Sequence, residues 1–204
     1  MTGTRLSPDF YLQETAEVAR QLLGKVLVRE SPQGLTACRI TETEAYCGPQ
    51  DRACHSYNRR APQGRTNVLY DPGGLSYVYL IYGMYHCFNV TTRPQGDPQA
   101  VLVRSAQPLD GLPLMTRRRT LPGKKPPVPQ QLLTGPGKLC LGMDIDRALY
   151  GEPLWGDRLY LLDAPPVPRE DVLIGPRINV DYAGDDAALP YRFGLRGGLL
   201  SRRF

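Results

Sequence analysis

The chain has 204 residues, of which 41% are hydrophobic and 22% charged, and it carries a formal net charge of +5. This is the composition of a globular protein long enough to bury its own core, and it excludes a collagen-like rod, a coiled coil and a disordered tail. No stretch approaches the roughly 20 apolar residues of a membrane span, and residues 1–9 lack a basic-then-apolar leader, so the expectation is a cytoplasmic protein of one domain over residues 1–204, by default a monomer.

In chain order, Ser7-Pro8 predicts a helix start, with Ser7 as N-cap and Pro8 at the first helical position, and Gly24 predicts its stop. Phe10, Ala16, Ala19, Leu22 and Leu23 supply the apolar stripe between them. Lys25 to Glu30 reads as a strand, Ser31 to Gly34 as a turn, and Thr36 to Tyr46 as a second strand. Leu75 to Val90 is rich in tyrosine, valine and isoleucine and is broken only by Gly83. Ala100 to Arg104 is a short apolar strand. A basic helix follows near Leu112 to Thr120, then an exposed proline-rich loop from Pro122 to Gln131, then a helix begun by Gly135-Pro136. Leu159 to Leu162 and Arg192 to Leu195 close the series as strands. Strand and helix do not alternate regularly, so the prediction is an α+β fold: a curved, largely antiparallel sheet flanked by helices.

Five cysteines with no Cys-x-x-Cys pair predict reduced thiols packed as small hydrophobes. Two histidines at no zinc-binding spacing leave any metal chemistry to carboxylates alone. The basic residues are grouped. Between Gly111 and Met143 there is no acidic residue, while Arg117, Arg118, Arg119, Lys124, Lys125 and Lys138 are all basic; Arg59, Arg60 and Arg65 form a second run. Such groups suit phosphate neutralisation, or simply a solvated basic face.

Two segments could carry chemistry. In a strand from Arg39 to Tyr46, alternation puts Ile40, Glu42, Glu44 and Tyr46 on one face, two carboxylates beside a ring. Buried, those carboxylates need a purpose, because an unpaired buried charge is costly; on the solvent face they are ordinary surface residues. In Tyr77 to Tyr85, Tyr77 and Tyr79 share a face, whereas Tyr82 falls out of step just before Gly83. Glycine there permits a tight turn, so Tyr82 is expected at a hairpin tip, projecting outward beside the cations.

The blocks Thr43-Glu-Ala-Tyr46, His55-Ser56, Tyr77-Val-Tyr-Leu-Ile-Tyr-Gly-Met-Tyr85, Cys87-Phe-Asn89, Val101-Leu-Val-Arg104 and Gly135-Pro-Gly-Lys-Leu-Cys140 closely resemble the alkyladenine (3-methyladenine) DNA glycosylase family, in its order and near its spacing. The resemblance runs from about Ala16 to Phe193. It implies a mixed α/β domain that excises alkylated or deaminated purines from double-stranded DNA, with a β-hairpin projecting toward the DNA and with no metal or other cofactor.

Carried onto this sequence, the resemblance picks Glu44 rather than Glu42 as the general base and gives Arg104 the task of holding Glu44 and the attacking water. It implies that Tyr46, His55, Tyr79 and Asn89 line the pocket for the extruded base, Asn89 opposing the amine of normal guanine. Tyr82 matches the intercalating side chain, with Met84 beside it in the groove. Arg60, Arg65, Arg119 and Lys138 are the candidate phosphate contacts, Lys138 near a helix start. No lysine occupies a matched pocket position, which implies hydrolysis without Schiff-base chemistry. The Pro122 to Gln131 loop and the tail from Leu195 to Phe204 do not clearly follow the family. The cations and Tyr82 alone would equally suit a non-catalytic protein that recognises distorted duplex.

Overall fold

The computed structural model describes residues 3–58, 61, 62 and 64–204. Three α-helices are present among them: α1 (Thr15–Gln21), α2 (Leu112–Arg119) and α3 (Pro136–Met143). The strands are β1 (Val26–Ser31), β2 (Gly34–Tyr46), β3 (Ser76–Ile81), β4 (Tyr85–Thr92), β5 (Gln99–Asp110), β6 (Leu159–Leu162), β7 (Val172–Gly175) and β8 (Arg192–Leu195). Every pairing between them is antiparallel, in the order β3-β4-β5-β2-β1-β6, with β8 on β2 and β7 on β8. This is the α+β architecture that the irregular order of elements predicts.

The longest strand organises the sheet. One edge of β2 pairs with β5 along most of its length, while the other edge pairs first with β1 and then, from Glu42 to Glu44, with β8. One face is covered by α1 and α3, whose Val18, Ala19, Leu139 and Met143 bury against Ile40, Phe88, Val101 and Val103. Half-burial would have given β2 a clean alternation, but its middle is buried on both faces, so a run of threonines and glutamates reads as core.

Three expectations need correcting. The helix from Ser7 to Gly24 is broken: a 3-10 turn covers Pro8–Leu12, Gln13 is extended, and α1 begins only at Thr15, without a side-chain cap from Ser7. Tertiary contacts outcompete helical continuity here. Tyr11 is fully buried against Trp155, its carbonyl accepts from Arg93 N–H (2.9 Å), and the Arg93 guanidinium donates to Glu14 (2.7 Å). The strand at Ala100 to Arg104 runs on to Asp110, because β2 is long enough to pair with all of it. β7 was not foreseen, being four residues set between prolines. By contrast, Leu159–Leu162 and Arg192–Leu195 fall where predicted.

Phe88 on β4 is fully buried in the central core. Phe88→Ala should lower the unfolding free energy by about 3–5 kcal/mol, read as a reduced urea midpoint at unchanged slope.

Candidate active site

The site is made by two irregularities in the β2–β5 ladder. Ile40 pairs with Ala106 and Glu42 with Ser105, leaving Thr41 extra in β2; Thr43 then pairs with Val103, leaving Arg104 extra in β5. A bulge inserts a residue and re-aims the side chains around it. Ile40 is therefore in the core under α1 and does not share the face of Glu42 and Glu44, contrary to strict alternation. Beyond the bulge the core face passes to Thr43, whose hydroxyl donates to Ala19 O (2.7 Å), and to Ala45. Glu42, Glu44 and Tyr46 keep to the opposite face, and Arg104 turns toward them.

Glu44 is fully buried. Its Oε2 accepts from the Tyr46 hydroxyl (2.9 Å) and Arg104 Nη1 (3.1 Å), and its Oε1 accepts from the Ile178 N–H (2.7 Å). All three partners are donors, as an acceptor-only carboxylate requires. Burial, and then the neighbouring Glu44 charge, push the Tyr46 phenol far above its usual range, so it stays a proton donor to Glu44. Burial would weaken the charge on Arg104, but Glu44 and Glu42 together raise its pKa and keep it cationic. Glu42 is held by Ser105 Oγ (2.8 Å), Arg192 Nε (2.8 Å) and both donors of Ser201. Burial alone would raise its carboxyl, but the Ser201 N–H, the Arg104 charge and the two serine hydroxyls hold it below the usual 4.5.

Beside this charge cluster lies an aromatic chamber of about 50 Å³, lined by Tyr46, His55, Tyr77, Tyr79, Asn89 and Tyr182 among others. His55 Nδ1 shares a 2.8 Å hydrogen bond with the Tyr77 hydroxyl, and its ring stands edge-on to Tyr79 at 4.8 Å. Asn89 Nδ2 donates to Tyr77 O (2.9 Å), which fixes the buried amide. The chamber meets an open groove of about 500 Å³ that shares Tyr46, His55, Tyr79 and Tyr182 and is also lined by Arg104 and Ile178. Every group that donates to Glu44 thus faces this groove.

At the groove's other wall, β3 and β4 join through Tyr82, Gly83 and Met84. Both Tyr82 (φ 53°) and Gly83 (φ 69°) are left-handed, and Met84 N–H donates to Ile81 O. Tyr82 is 75% and Met84 65% exposed, so the tip presents two large apolar side chains to solvent. Of the predicted phosphate contacts, Arg65 is exposed on the groove with its guanidinium 5.3 Å from the centre of the Tyr79 ring, and Lys138 is exposed in the first turn of α3. Arg119 is half-buried, its Nε spent on Leu132 O (3.0 Å). Arg60 lies outside the described residues. No group of three or more His, Cys, Asp and Glu side chains that could hold a metal occurs among the described residues.

Several neighbours of the site were invisible in the sequence. Arg177 is buried, donates to both Asp51 oxygens and to Ala45 O, and stacks 4.9 Å from the Tyr46 ring centre. The adjacent Ile178 presents its N–H to Glu44, and Asn179 after it adopts a left-handed φ of 59°; an asparagine after Gly175-Pro176 was the one local hint of a turn here. Tyr182 and Ser201 come from segments more than 130 residues from β2, and nothing local marks them.

Residues 9–198 match the family described as methylpurine-DNA glycosylase. The chain belongs to that family. Relatives bearing the name "Putative 3-methyladenine DNA glycosylase" include one from Anaeromyxobacter dehalogenans strain 2CP-C, 47% identical over 95% of this chain and 84% of its own length. Another, from Methanocella arvoryzae, is 46% identical over 92% and 90%, and one from Desulfitobacterium hafniense is 43% identical over 94% and 95%. The family match thus takes in Glu44, the aromatic chamber and the β3–β4 hairpin, and ends before Ser201.

A carboxyl whose pKa is depressed on folding contributes stability above its unfolded value, and that contribution is lost as pH falls through the lower folded value. Wild type should therefore lose stability below about pH 4.5 as Glu42 protonates. Glu42→Gln should be less stable at pH 7 but show an acid limb shallower by up to about 1.4 kcal/mol per pH unit, measured by urea unfolding from pH 2 to 7.

Proposed function

We propose that this glycosylase turns a damaged purine out of double-stranded DNA, seats it among Tyr46, His55 and Tyr79, and hydrolyses its N-glycosidic bond with a water activated by Glu44. The observation that carries this reading is the buried Glu44 carboxylate, held by three donors that all line one groove between an aromatic chamber and an exposed tyrosine. Three donors fill three of a carboxylate's roughly four lone-pair sites, and the fourth, on Oε1, is left for a water.

In this reaction the water oxygen bonds to the anomeric carbon, its proton passes to Glu44, and the bonding pair of the breaking C–N bond leaves with the purine. An N-alkylated purine is often cationic and departs neutral, so it needs no prior protonation. The positive charge that grows on the sugar is met by the carboxylate. Arg104, tied to both carboxylates, fixes the geometry of Glu44. The rings of Tyr46, His55 and Tyr79 suit a cationic base through their negative faces. Asn89, whose amide donates to Tyr77 O, opposes the exocyclic amine of normal guanine in this reading. A chamber of about 50 Å³ is too small for a purine, so the base is received through the wider groove, with the rings adjusting around it. Tyr82 fills the gap in the base stack, and Arg65, Arg60, Arg119 and Lys138 contact the backbone, Arg119 with the capacity its bond to Leu132 leaves. No lysine lines chamber or groove among the described residues, and we assign hydrolysis without strand cleavage.

Glu44→Gln should bind lesion duplex normally while single-turnover base release falls by roughly 10²–10⁴; release near the wild-type rate would remove Glu44 from the role of base. Tyr82→Ser should lose roughly tenfold in affinity for lesion duplex and far less for undamaged DNA, since a wedge is used only where a nucleotide is extruded. Equal losses on the two, in a binding titration at fixed salt, would count against the wedge.

A further inference from the structure

The tail from Leu199 to Phe204 is tied into the charge cluster. Thr41, the extra residue of the β2 bulge, donates its hydroxyl to Leu199 O (2.5 Å). Ser201 N–H donates to Glu42 Oε2 (2.6 Å), and Ser201 Oγ donates to Glu42 Oε1 (2.8 Å) while accepting from Arg104 Nε (3.3 Å). Arg192, itself bonded to Glu42, grips the carbonyls of Arg202 (2.6 Å) and Arg203 (3.3 Å), and its guanidinium lies 3.9 Å over the Phe204 ring. That ring packs so closely on β8 that a β-carbon at Gly194 would overlap it. A surface tail has no need of such anchorage.

The charges explain what the anchorage does. Arg104 stands between two buried carboxylates, with Nε 3.3 Å from Glu42 and Nη1 3.1 Å from Glu44. The guanidinium thus divides its donors between the two carboxylates. Glu42 lies beside the tail, and its demand is met by Ser105, Arg192 and the paired donors of Ser201. Take Ser201 away and Glu42, left with Ser105, Arg192 and the shared Arg104, opens to water and draws Arg104 off Glu44.

We propose that Ser201 is a positioning residue for base excision: the tail satisfies Glu42 so that Arg104 stays on Glu44. This inference rests on the glycosylase reading and adds to it a segment beyond the family match at residues 9–198.

The test compares wild type, Ser201→Ala, Ser201→Thr and a chain lacking residues 199–204, with three readouts: single-turnover base release from methylated duplex, equilibrium affinity for the same duplex, and Tm. Ser201→Ala should release base roughly tenfold more slowly at unchanged affinity and Tm, as expected for losing one hydroxyl and its hydrogen bonds to Glu42 and Arg104. Ser201→Thr, which keeps the hydroxyl, should restore the rate, and the deletion should be slower than Ser201→Ala. Wild-type release by both Ser201→Ala and the deletion overturns the inference and leaves the glycosylase reading standing. So does a fall in rate matched by equal falls in affinity or Tm, which would make the tail a structural strap only. Failure of wild type to release any base overturns both.

Discussion

A single guanidinium between two buried carboxylates is the constraint around which the site is arranged. Removing three charges from water costs several kcal/mol apiece, and only close geometry with further hydrogen bonds offsets it. The chain meets that demand with partners drawn from far apart: Tyr46 from the same strand as Glu44, Arg192 from β8, Ile178 from the loop after β7, and Ser201 from the tail. Deleting Arg104 would leave both carboxylates buried without the charge they share. Several segments that pack little against each other are thereby locked to one place.

The backbone makes this arrangement possible. Regular pleating would have set Leu102, Arg104 and Ala106 on one face, and Ile40 beside Glu42. The extra residues Thr41 and Arg104 break that rhythm on adjacent strands, so the core receives Ile40, Val103 and Ala106 while the site receives Glu42 and Arg104. The switch of β2 from β1 to β8 falls at the same level, and two irregularities of the sheet thus coincide with its chemistry.

The sequence disclosed what is local. Leu159–Leu162 and Arg192–Leu195 read correctly because each is a compact apolar or alternating run, and the hairpin at Tyr82-Gly83 read correctly because turn chemistry is written in adjacent residues. Glu44 and Tyr46 were legible as a pair because two-residue spacing survives past the bulge. What failed was anything decided at a distance. Tyr11 is drawn into the core by contacts with Arg93 and Trp155 and so breaks a helix that its neighbours favour. The Thr41 bulge lies where β5 and β8 both meet β2, and Arg177 gains its meaning from Asp51, 126 residues away, and from Ala45 and Tyr46. No window of sequence contains these pairs.

The conformation of Tyr82 carries an evolutionary consequence. A non-glycine residue at φ 53° sits where its β-carbon crowds the backbone, at an expense of about 1–2 kcal/mol relative to an unstrained site. Glycine would relieve that crowding, yet the ring would vanish with it. Selection for heat tolerance alone therefore pulls this position away from tyrosine, and a lineage that retains the ring keeps a large apolar side chain at the hairpin tip against that pull.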